Sequence, residues 1–295
     1  MIIRNNILKL PDGCEERVIY ADPAFRCYSQ YVYMPGDPVH RTTEHWHEEI
    51  EYIYVKSGKF VCFVNGERIE LRENEGICVN SKRIHSNESV PGQGCELYLV
   101  IMYPGELSAS RRIREQYVLP MVGPGSFDYL LLKAGSWTEK MLPPLRRLFE
   151  TNPESPLEIA ILETSFEMLG LMWQHLPPSE RRVREDPHEE PFKQMMAYID
   201  RHYAEKITLD DIAAQGGTGK TLCTAIFRKY TGETPVECLI RRRIEAGTEA
   251  LLGSSGSIAE IAYACGFSSA SHFTEVFRKK MGCTPREYRT ERKAH

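Results

Sequence analysis

The stretch AQGGTGKT, from Ala214 to Thr221, has the residue types and spacing of a phosphate-binding loop: a small residue, four positions, then Gly219-Lys220-Thr221. Such a loop works when a buried strand delivers a glycine-rich turn to a helix start, whose free amides face the phosphates. A second stretch, HWHEEIE from His45 to Glu51, sets two imidazoles on alternate positions. On a strand, alternate positions face the same way.

What precedes the glycines decides the first case. Upstream stands KITLDDIAA, whereas a buried parallel strand would be a near-continuous apolar run without paired acids. Thr208 followed three residues later by Asp211 reads as a capped helix start. Leu209, Ile212 and Ala213 then recur at helical spacing. The segment is therefore helix, glycine turn, helix, with Lys220 opening the second helix and no nucleotide delivered to it.

A chain of 295 residues with 42% hydrophobic and 26% charged residues is expected to form about two domains, each with its own core. Its apolar runs are too short to cross a bilayer, and MIIRNNILKLPDGC has no signal-peptide core. Nine cysteines without a CxxC pair indicate reduced thiols and a cytoplasmic protein rather than disulfides or a zinc knuckle. From Pro191 onward 16 Lys and Arg stand against 12 Asp and Glu, a net +4 within an overall charge of -4, so the first 190 residues carry -8. A basic C-terminal module beside an acidic N-terminal one suits a nucleic-acid binder joined to something else. Between them PPSERRVREDPHEEP, Pro177 to Pro191, reads as a charged linker.

After the linker, apolar residues recur at helical spacing from Phe192 through Tyr203, then on both sides of the glycine turn. A longer helix is expected over Pro235 to Leu252. Its Arg241-Arg242-Arg243 reads as a solvated face within the field of a polyanion. Ser257 to Glu260 is a capping box, and Ser268 is expected to cap one more helix. FRKYTGETPVECL (Phe227 to Leu239) and FRKKMGCTPREYR (Phe277 to Arg289) match at Phe-Arg-Lys, Gly and Thr-Pro, 50 residues apart. Two similar units flank one long helix.

The run from Arg241 to Arg289, with its GF-x4-HF, FRKK and TPxxYR elements, resembles the signature of the AraC/XylS family of bacterial transcription regulators. The resemblance covers Phe192 to the C-terminus. It implies an all-α domain of two helix-turn-helix units, with two recognition helices in successive major-groove segments of promoter DNA. Family contact positions fall on Lys220, Thr221, Thr224 and Ala225 in the first unit and on Ala270, Ser271, Thr274 and Glu275 in the second. Arg228 and Arg278, like Lys220, are expected on phosphates. Ala225 and Glu275 depart from the family, where arginine is common; an alanine can meet a thymine methyl and a glutamate can accept from cytosine N4.

In the first half the period changes to two. EYIYV, KFVCFV, RIEL, GICV and CELYLVIMY read as strands, and Asn65-Gly66 as a tight hairpin. Short antiparallel strands suggest a small barrel or jelly roll. HxHxxxE-x6-G with a later His resembles the motifs of cupin barrels, with Asn80 where a proline is common. That resemblance implies His45, His47, Glu51 and His85 as ligands in metal-binding members. Three readings stay open: a divalent-metal site, the polar lining of an effector pocket, and a structural hydrogen-bonded cluster. Trp46, Tyr52, Tyr54 and Phe63 are expected in the core.

The expected organisation is therefore multidomain α and β. A cupin-like sensing domain over 1–150 precedes a helical segment over 151–176, a dimerisation candidate through Leu157, Ile161, Leu162, Phe166, Leu169 and Trp173. The linker over 177–191 leads to a DNA-binding domain over 192–295. The resemblance implies an activator that answers a small effector, a sugar or related metabolite by family habit. It also implies RNA polymerase and a second copy of the chain as partners, with no membrane, no resident cofactor and no catalytic residue. The alternative is a metal-dependent cupin enzyme carrying a DNA-binding domain.

Overall fold

The computed structural model describes residues 7–9, 16–18, 20, 24–36, 41–42, 44–123, 126–150, 157–177 and 186–293. These fall into two compact units that divide between Asp186 and Pro187. Most of the expected linker lies outside the described residues, and the first helix of the second unit begins at Glu189, three residues ahead of the expected domain start.

The first unit is built on antiparallel strands: β1 (Ile7–Lys9), β2 (Glu16–Val18), β3 (Cys27–Met34), β4 (Ile50–Ser57), β5 (Lys59–Val64), β6 (Glu67–Arg72), β7 (Gly76–Val79), β8 (His85–Ser89), β9 (Cys95–Met102) and β10 (Tyr129–Leu132). β1 pairs with β2, five strands run in the order β10-β7-β4-β9-β3, and three in the order β6-β5-β8. The two larger sheets close on each other through Ile53, Val55, Ile77, Val79 and Leu97 on one side and Phe60, Cys62, Val64, Ile69 and Leu71 on the other. β4 is buried from Ile50 to Val55 because both its faces are covered. Glu51, Ile53 and Val55 look into the sandwich, while Ile50 and Tyr52 pack outward. The Asn65-Gly66 hairpin joins β5 to β6 as expected, both residues at positive φ, 48° and 83°, the backbone of a type I′ turn.

The outer face of the five-stranded sheet packs under helical segments. These are α1 (Arg111–Ile113) and α2 (Leu119–Val122) around a π-helical turn (Arg114–Val118), then α3 (Leu142–Glu150) and α4 (Leu157–His175). On α4 the buried side is Ile161, Thr164, Ser165, Met168, Leu169 and Met172. The expected stripe is therefore split. Ile161 and Leu169 face the sheet, whereas Phe166 is 39% exposed and Ile159 52%. The helix is apolar on two sides.

Asn80, where cupin motifs favour proline, anchors the segment between α2 and β10. Its Nδ2 donates to Met121 O (2.9 Å) and Phe127 O (2.8 Å), and its Oδ1 accepts from Ser81 N. Arg83, 3% exposed, adds an ion pair to Asp128 at 2.7 Å. A proline could make none of these bonds.

The second unit is all helix: α5 (Glu189–His202), α6 (Leu209–Gln215), α7 (Lys220–Thr231), α8 (Pro235–Gly253), α9 (Ile258–Ala264), α10 (Ala270–Met281) and α11 (Pro285–Lys293). Capping boxes start α6 (Thr208/Asp211), α8 (Thr234/Glu237) and α9 (Ser257/Glu260). Thr284 and Glu287 form the same reciprocal bonds at α11. Ser269, not Ser268, caps α10, its hydroxyl accepting from His272 N. The serine one position earlier is taken up by the turn.

Tryptophan fluorescence isolates the first unit, because all three tryptophans, Trp46, Trp137 and Trp173, lie in it. Asn80→Ala strands two buried carbonyls, each costing about 1–3 kcal/mol. Its urea midpoint by tryptophan fluorescence should fall while the helical signal of the second unit is unchanged. A midpoint equal to that of the parent chain would show that Asn80 is not an anchor.

Candidate functional site

The two helix-turn-helix units share the geometry with which their turns begin. α6 ends at Gly216 and α9 at Cys265, with nearly equal φ of −87° and −88°. Each is followed by a glycine at positive φ, Gly217 (61°) and Gly266 (83°), a conformation that side chains resist. Thr218 N and Phe267 N then return to Ala213 O and Ala262 O. The first turn is one residue shorter and its helix starts at Gly219 without a side-chain cap. The glycines of AQGGTGKT are therefore turn residues, and Lys220 is the first residue of α7.

The expected contact residues share one face of each second helix. Lys220, Thr221, Ala225 and Arg228 are exposed on α7, as are Ser271, Glu275 and Arg278 on α10. Thr224 and Thr274 are half-buried, each hydroxyl donating to the carbonyl four residues back, Lys220 O and Ala270 O. Ala270 is also half-buried, packed partly against the core of this unit. A cleft of about 880 Å³ runs along α10, lined by Ala270, Ser271, Thr274, Glu275, Arg278, Lys279 and Thr284. Lys220 forms an ion pair with Asp210 at 2.8 Å, with both side chains more than half exposed. Such a pair contributes little and leaves the ammonium available to another anion.

In the first unit His45, His47, Glu51 and His85 come together between the two sheets. All four are buried, and one ligand atom from each lies within 4.8 Å of the others. They do not arrive as one strand. His45 forms an isolated antiparallel bridge with His85, the backbone amide of each donating to the other's carbonyl at 2.9 Å. His47 lies on an irregular stretch held by Lys82 N donating to its carbonyl and by Ser81 Oγ donating to Glu48 O. Glu51 is the second residue of β4 and His85 the first of β8.

Glu51 Oε2 is 3.2 Å from His47 Nε2 and 3.3 Å from His85 Nε2. Burial raises the Glu51 carboxyl, but the charges and hydrogen bonds of His85 and His47 outweigh it and hold the group well below the usual carboxylate range. His85 Nδ1 lies 2.8 Å from Arg83 O. A carbonyl only accepts, so Nδ1 carries the hydrogen and Nε2 faces Glu51. Behind His47 stands Glu49, whose Oε2 is 3.5 Å from His47 Nδ1, and Tyr20 donates to Glu49. Burial, then the bond and charge of Glu49, raise the Tyr20 hydroxyl well above its ordinary value, so it stays a donor. Trp46, Tyr52 and Tyr54 are in the core as expected. Phe63 is half-buried, with the Arg41 guanidinium 4.6 Å from its ring centroid.

The family described as AraC-like ligand binding domain matches residues 28–158, and the family described as helix-turn-helix domain matches 212–291. The HTH-type transcriptional regulator YdeC of Bacillus subtilis is 29% identical over 251 residues, which cover 83% of this chain and 85% of that one. The HTH-type transcriptional activator RhaS of Salmonella schwarzengrund is 34% identical over 101 residues, 34% of this chain and 36% of that one. A solved structure of ToxT from Vibrio cholerae aligns over 90% of this chain and 98% of its own, at 14% identity and a TM-score of 0.46. The chain therefore joins an AraC-like ligand binding domain to a helix-turn-helix domain, the organisation of a transcription regulator.

Within the regulator's second unit the three consecutive arginines are not the solvated face that the sequence suggested. Arg241 is tied to Glu233 at 2.9 Å and Glu245 at 3.4 Å. Arg242 pairs with Asp200 at 3.1 Å, and Arg243 donates to Tyr203 O and Glu205 O at 2.7 and 2.8 Å. Lys280 of α10 reaches the same Glu233 at 3.7 Å. The guanidiniums join α8 to α5 and to the turn after α7, because that turn supplies Glu233 and the end of α5 with the residues after it supplies Asp200 and the carbonyls of Tyr203 and Glu205. Sequence spacing signals the i,i+4 pair of Arg241 with Glu245 but carries none for the pairs that Arg242 and Arg243 make about 40 residues away. Tyr20, Glu49, Asn80 and Arg83 were likewise not expected to support a site, although Asn80 stood out as a departure.

The capping carboxylates set the acid limit of this unit. Hydrogen bonds from Thr208, Thr234, Ser257 and Thr284 hold Asp211, Glu237, Glu260 and Glu287 below their ordinary values. A depressed carboxyl stabilises the fold fully above its unfolded value, about pH 4, and that contribution is lost as the pH falls through the folded value. Helix content by circular dichroism should therefore fall below about pH 4. The combined Asp211→Asn, Glu237→Gln, Glu260→Gln and Glu287→Gln chain should show a shallower acid transition, and an identical one would refute the assignment.

Proposed function

We propose that this regulator binds promoter DNA through the exposed faces of α7 and α10 and activates transcription when a small effector occupies its first unit. The observation that carries the reading is the pair of equivalent faces, 50 residues apart, on either side of α8. Lys220, Arg228 and Arg278 take phosphates; Thr221, Ala225, Ser271 and Glu275 meet base edges, with Glu275 accepting from cytosine N4. Half-buried Thr224, Ala270 and Thr274 shape the approach rather than reach deep into the groove.

The effector acts by population shift: it favours one arrangement of domains or chains over another by its difference in affinity for the two. Its place in this reading is the polar end of the sandwich, at His45, His47, Glu51 and His85. A sugar or related metabolite remains the expected class. RhaS, an activator by name, supports activation, which requires contact with RNA polymerase. Among the described residues no helix is long and apolar enough to cross a membrane, in keeping with a cytoplasmic protein that meets DNA. The rival reading, a metal-dependent enzyme carrying a DNA-binding domain, gains no support from relatives whose names are those of regulators.

A second copy fits the outer ridge of α4. Ile159 and Phe166 are exposed there, and a side chain added at Gly170 would meet nothing within 4 Å, so another backbone can come close. Tyr117, which stacks edge-on with Trp173 at 5.2 Å, extends the apolar strip. Phe166→Lys should convert a dimer to a monomer in sedimentation velocity without lowering the melting temperature. An unchanged oligomeric state would remove α4 from the interface.

The DNA reading is tested by binding the full chain to fragmented genomic DNA at fixed salt and sequencing what enriches. Arg278→Ala should weaken binding to all sequences and reduce the slope of log K against log salt by about 1. Glu275→Ala should instead relax preference at one base position, by about 1–3 kcal/mol. If both variants select the same fragments with parental affinity, α10 is not a recognition helix.

A further inference from the structure

We propose that Glu233 is a positioning residue for two-site DNA recognition. With Lys280 it fixes the rotation of α10 on α8, and so the phase at which the two faces meet the double helix. This role rests on the reading of α7 and α10 as recognition helices and adds what sets one against the other.

The 50-residue repeat shows that the charges are not needed to fold a helix-turn-helix. Counting from Phe227 and Phe277, three of the positions that differ are Tyr230 against Lys280, Glu233 against Cys283, and Cys238 against Tyr288. In the second copy this corner is apolar. The Tyr288 ring stands edge-on to Phe277 at 5.4 Å, and Cys283 packs against the same core. In the first copy a thiol stands where the second has a ring, and a carboxylate comes in beside it. Glu233 Oε2 accepts from Arg241 Nε at 2.9 Å and lies 3.5 Å from Cys238 Sγ. One copy closes without these groups, so their presence in the other calls for a different reason.

Glu233 is aimed by its own backbone. Its amide donates to Thr231 Oγ1 at 3.0 Å, and that hydroxyl, on a residue 3% exposed, donates to Phe227 O at 2.8 Å. Gly232, at a φ of 72°, turns the chain between them. The carboxylate is therefore part of the rigid end of α7. Its other oxygen, Oε1, lies 3.7 Å from Lys280 Nζ on α10. The pair crosses from one copy of the repeat to the other.

That crossing falls where it has leverage. α10 comes close to α8 at Gly247, where an added Cβ would stand 2.8 Å from Phe273 Cε2, so a side chain there would displace the buried ring. A close approach at one point sets a distance but leaves a helix able to swivel about it. Lys280 lies seven residues beyond Phe273, about 10 Å along the axis at 1.5 Å per residue, and its tether to Glu233 opposes the swivel. Orientation matters to the partner because about 10.5 base pairs make one turn of DNA, so one base pair of displacement turns a face by about 34°. A half-exposed ion pair adds little to stability. Its energy biases one orientation over others, which a melting curve does not read and a spacing preference does.

The test uses the full chain and the fragment that enriches most in the genomic selection, with its two subsites located by footprinting. Versions are made at the native spacing, one base pair shorter, and one and two base pairs longer. The parent should bind the native spacing at least about tenfold more tightly than the others, the scale of one lost base contact. Glu233→Gln and Lys280→Met should each flatten that preference about threefold or more, as members of one charged network do when one is removed. Lys280→Met, which truncates a side chain 43% exposed, should do so at the parental melting temperature, separating orientation from folding. Lys279→Met, the exposed neighbour on α10, should instead weaken binding alike at every spacing, as loss of a phosphate contact does. Equal loss, or none, at all spacings in both Glu233→Gln and Lys280→Met overturns the positioning role and leaves recognition by α7 and α10 standing. A parent chain without any spacing preference overturns the two-site reading itself, and the role of Glu233 with it.

Discussion

Two recognition helices help each other only at a fixed separation, and α8 is the element that fixes it. It runs for 19 residues, about 28 Å at 1.5 Å per residue, which is close to the roughly 34 Å between successive major-groove segments on one side of B-DNA. A helix of that length would bend or slide if it were attached at one end. Arg241, Glu233 and Lys280 form a knot where the turn after α7 meets α8 and α10. On the other side Arg242 and Arg243 bind α8 to the end of α5. Exposed ion pairs contribute little, but Arg241 is only 11% exposed and Glu233 18%, and two cations, Arg241 and Lys280, share the one carboxylate. On the reading of α7 and α10 as recognition helices, these arginines would act indirectly, by holding the spacing of the two faces.

The helical half was largely legible in the sequence because its signals are local. A capping box spans four residues, a glycine at positive φ is one residue, and a 50-residue repeat is visible without knowing the fold. Even the disagreements have local causes. Ser268 and Ser269 are both good caps, and the choice between them depends on turn length, which Phe267 settles by burying its ring against Phe273 at 5.1 Å. The arginine run misled mainly because the partners of Arg242 and Arg243, Asp200, Tyr203 and Glu205, lie about 40 residues away in sequence. Hydropathy cannot distinguish a charge that faces water from one that faces a distant carboxylate.

In the sheet half, the strands that were recognised are apolar on at least one face. β8, HSNES, escaped recognition since its inward residues are His85, Asn87 and Ser89, all polar. Its place in the sheet is fixed by pairing with β5 rather than by its own hydropathy. The cluster was legible as four residue types at suggestive spacing, but His45 and His47 do not lie on one strand. They converge because the His45–His85 bridge and the bonds from Ser81 and Lys82 fold an irregular stretch back over β8. Asn80 was visible as an exception to a motif, but its use as a hub for Met121 and Phe127 required the structure.

The sandwich is divided between an apolar half, where Phe60, Val55 and Ile77 fill the space, and a polar end built from His45, His47, Glu51 and His85. Hydrophobic residues of similar volume would be neutral or better there, since desolvating a carboxylate and three imidazoles costs as much as their attraction returns. Sequences break the rules of core composition where function requires it. Structural support has nonetheless been invested in this end: Arg83 O orients the His85 ring, Tyr20 holds Glu49 behind His47, and the irregular His45–His47 stretch is pinned from behind. That combination separates the cluster from a chance pocket of buried polar groups. Mutual hydrogen bonding within the cluster satisfies Glu51 Oε2 but leaves Glu51 Oε1 and Asn87 Oδ1 without a donor.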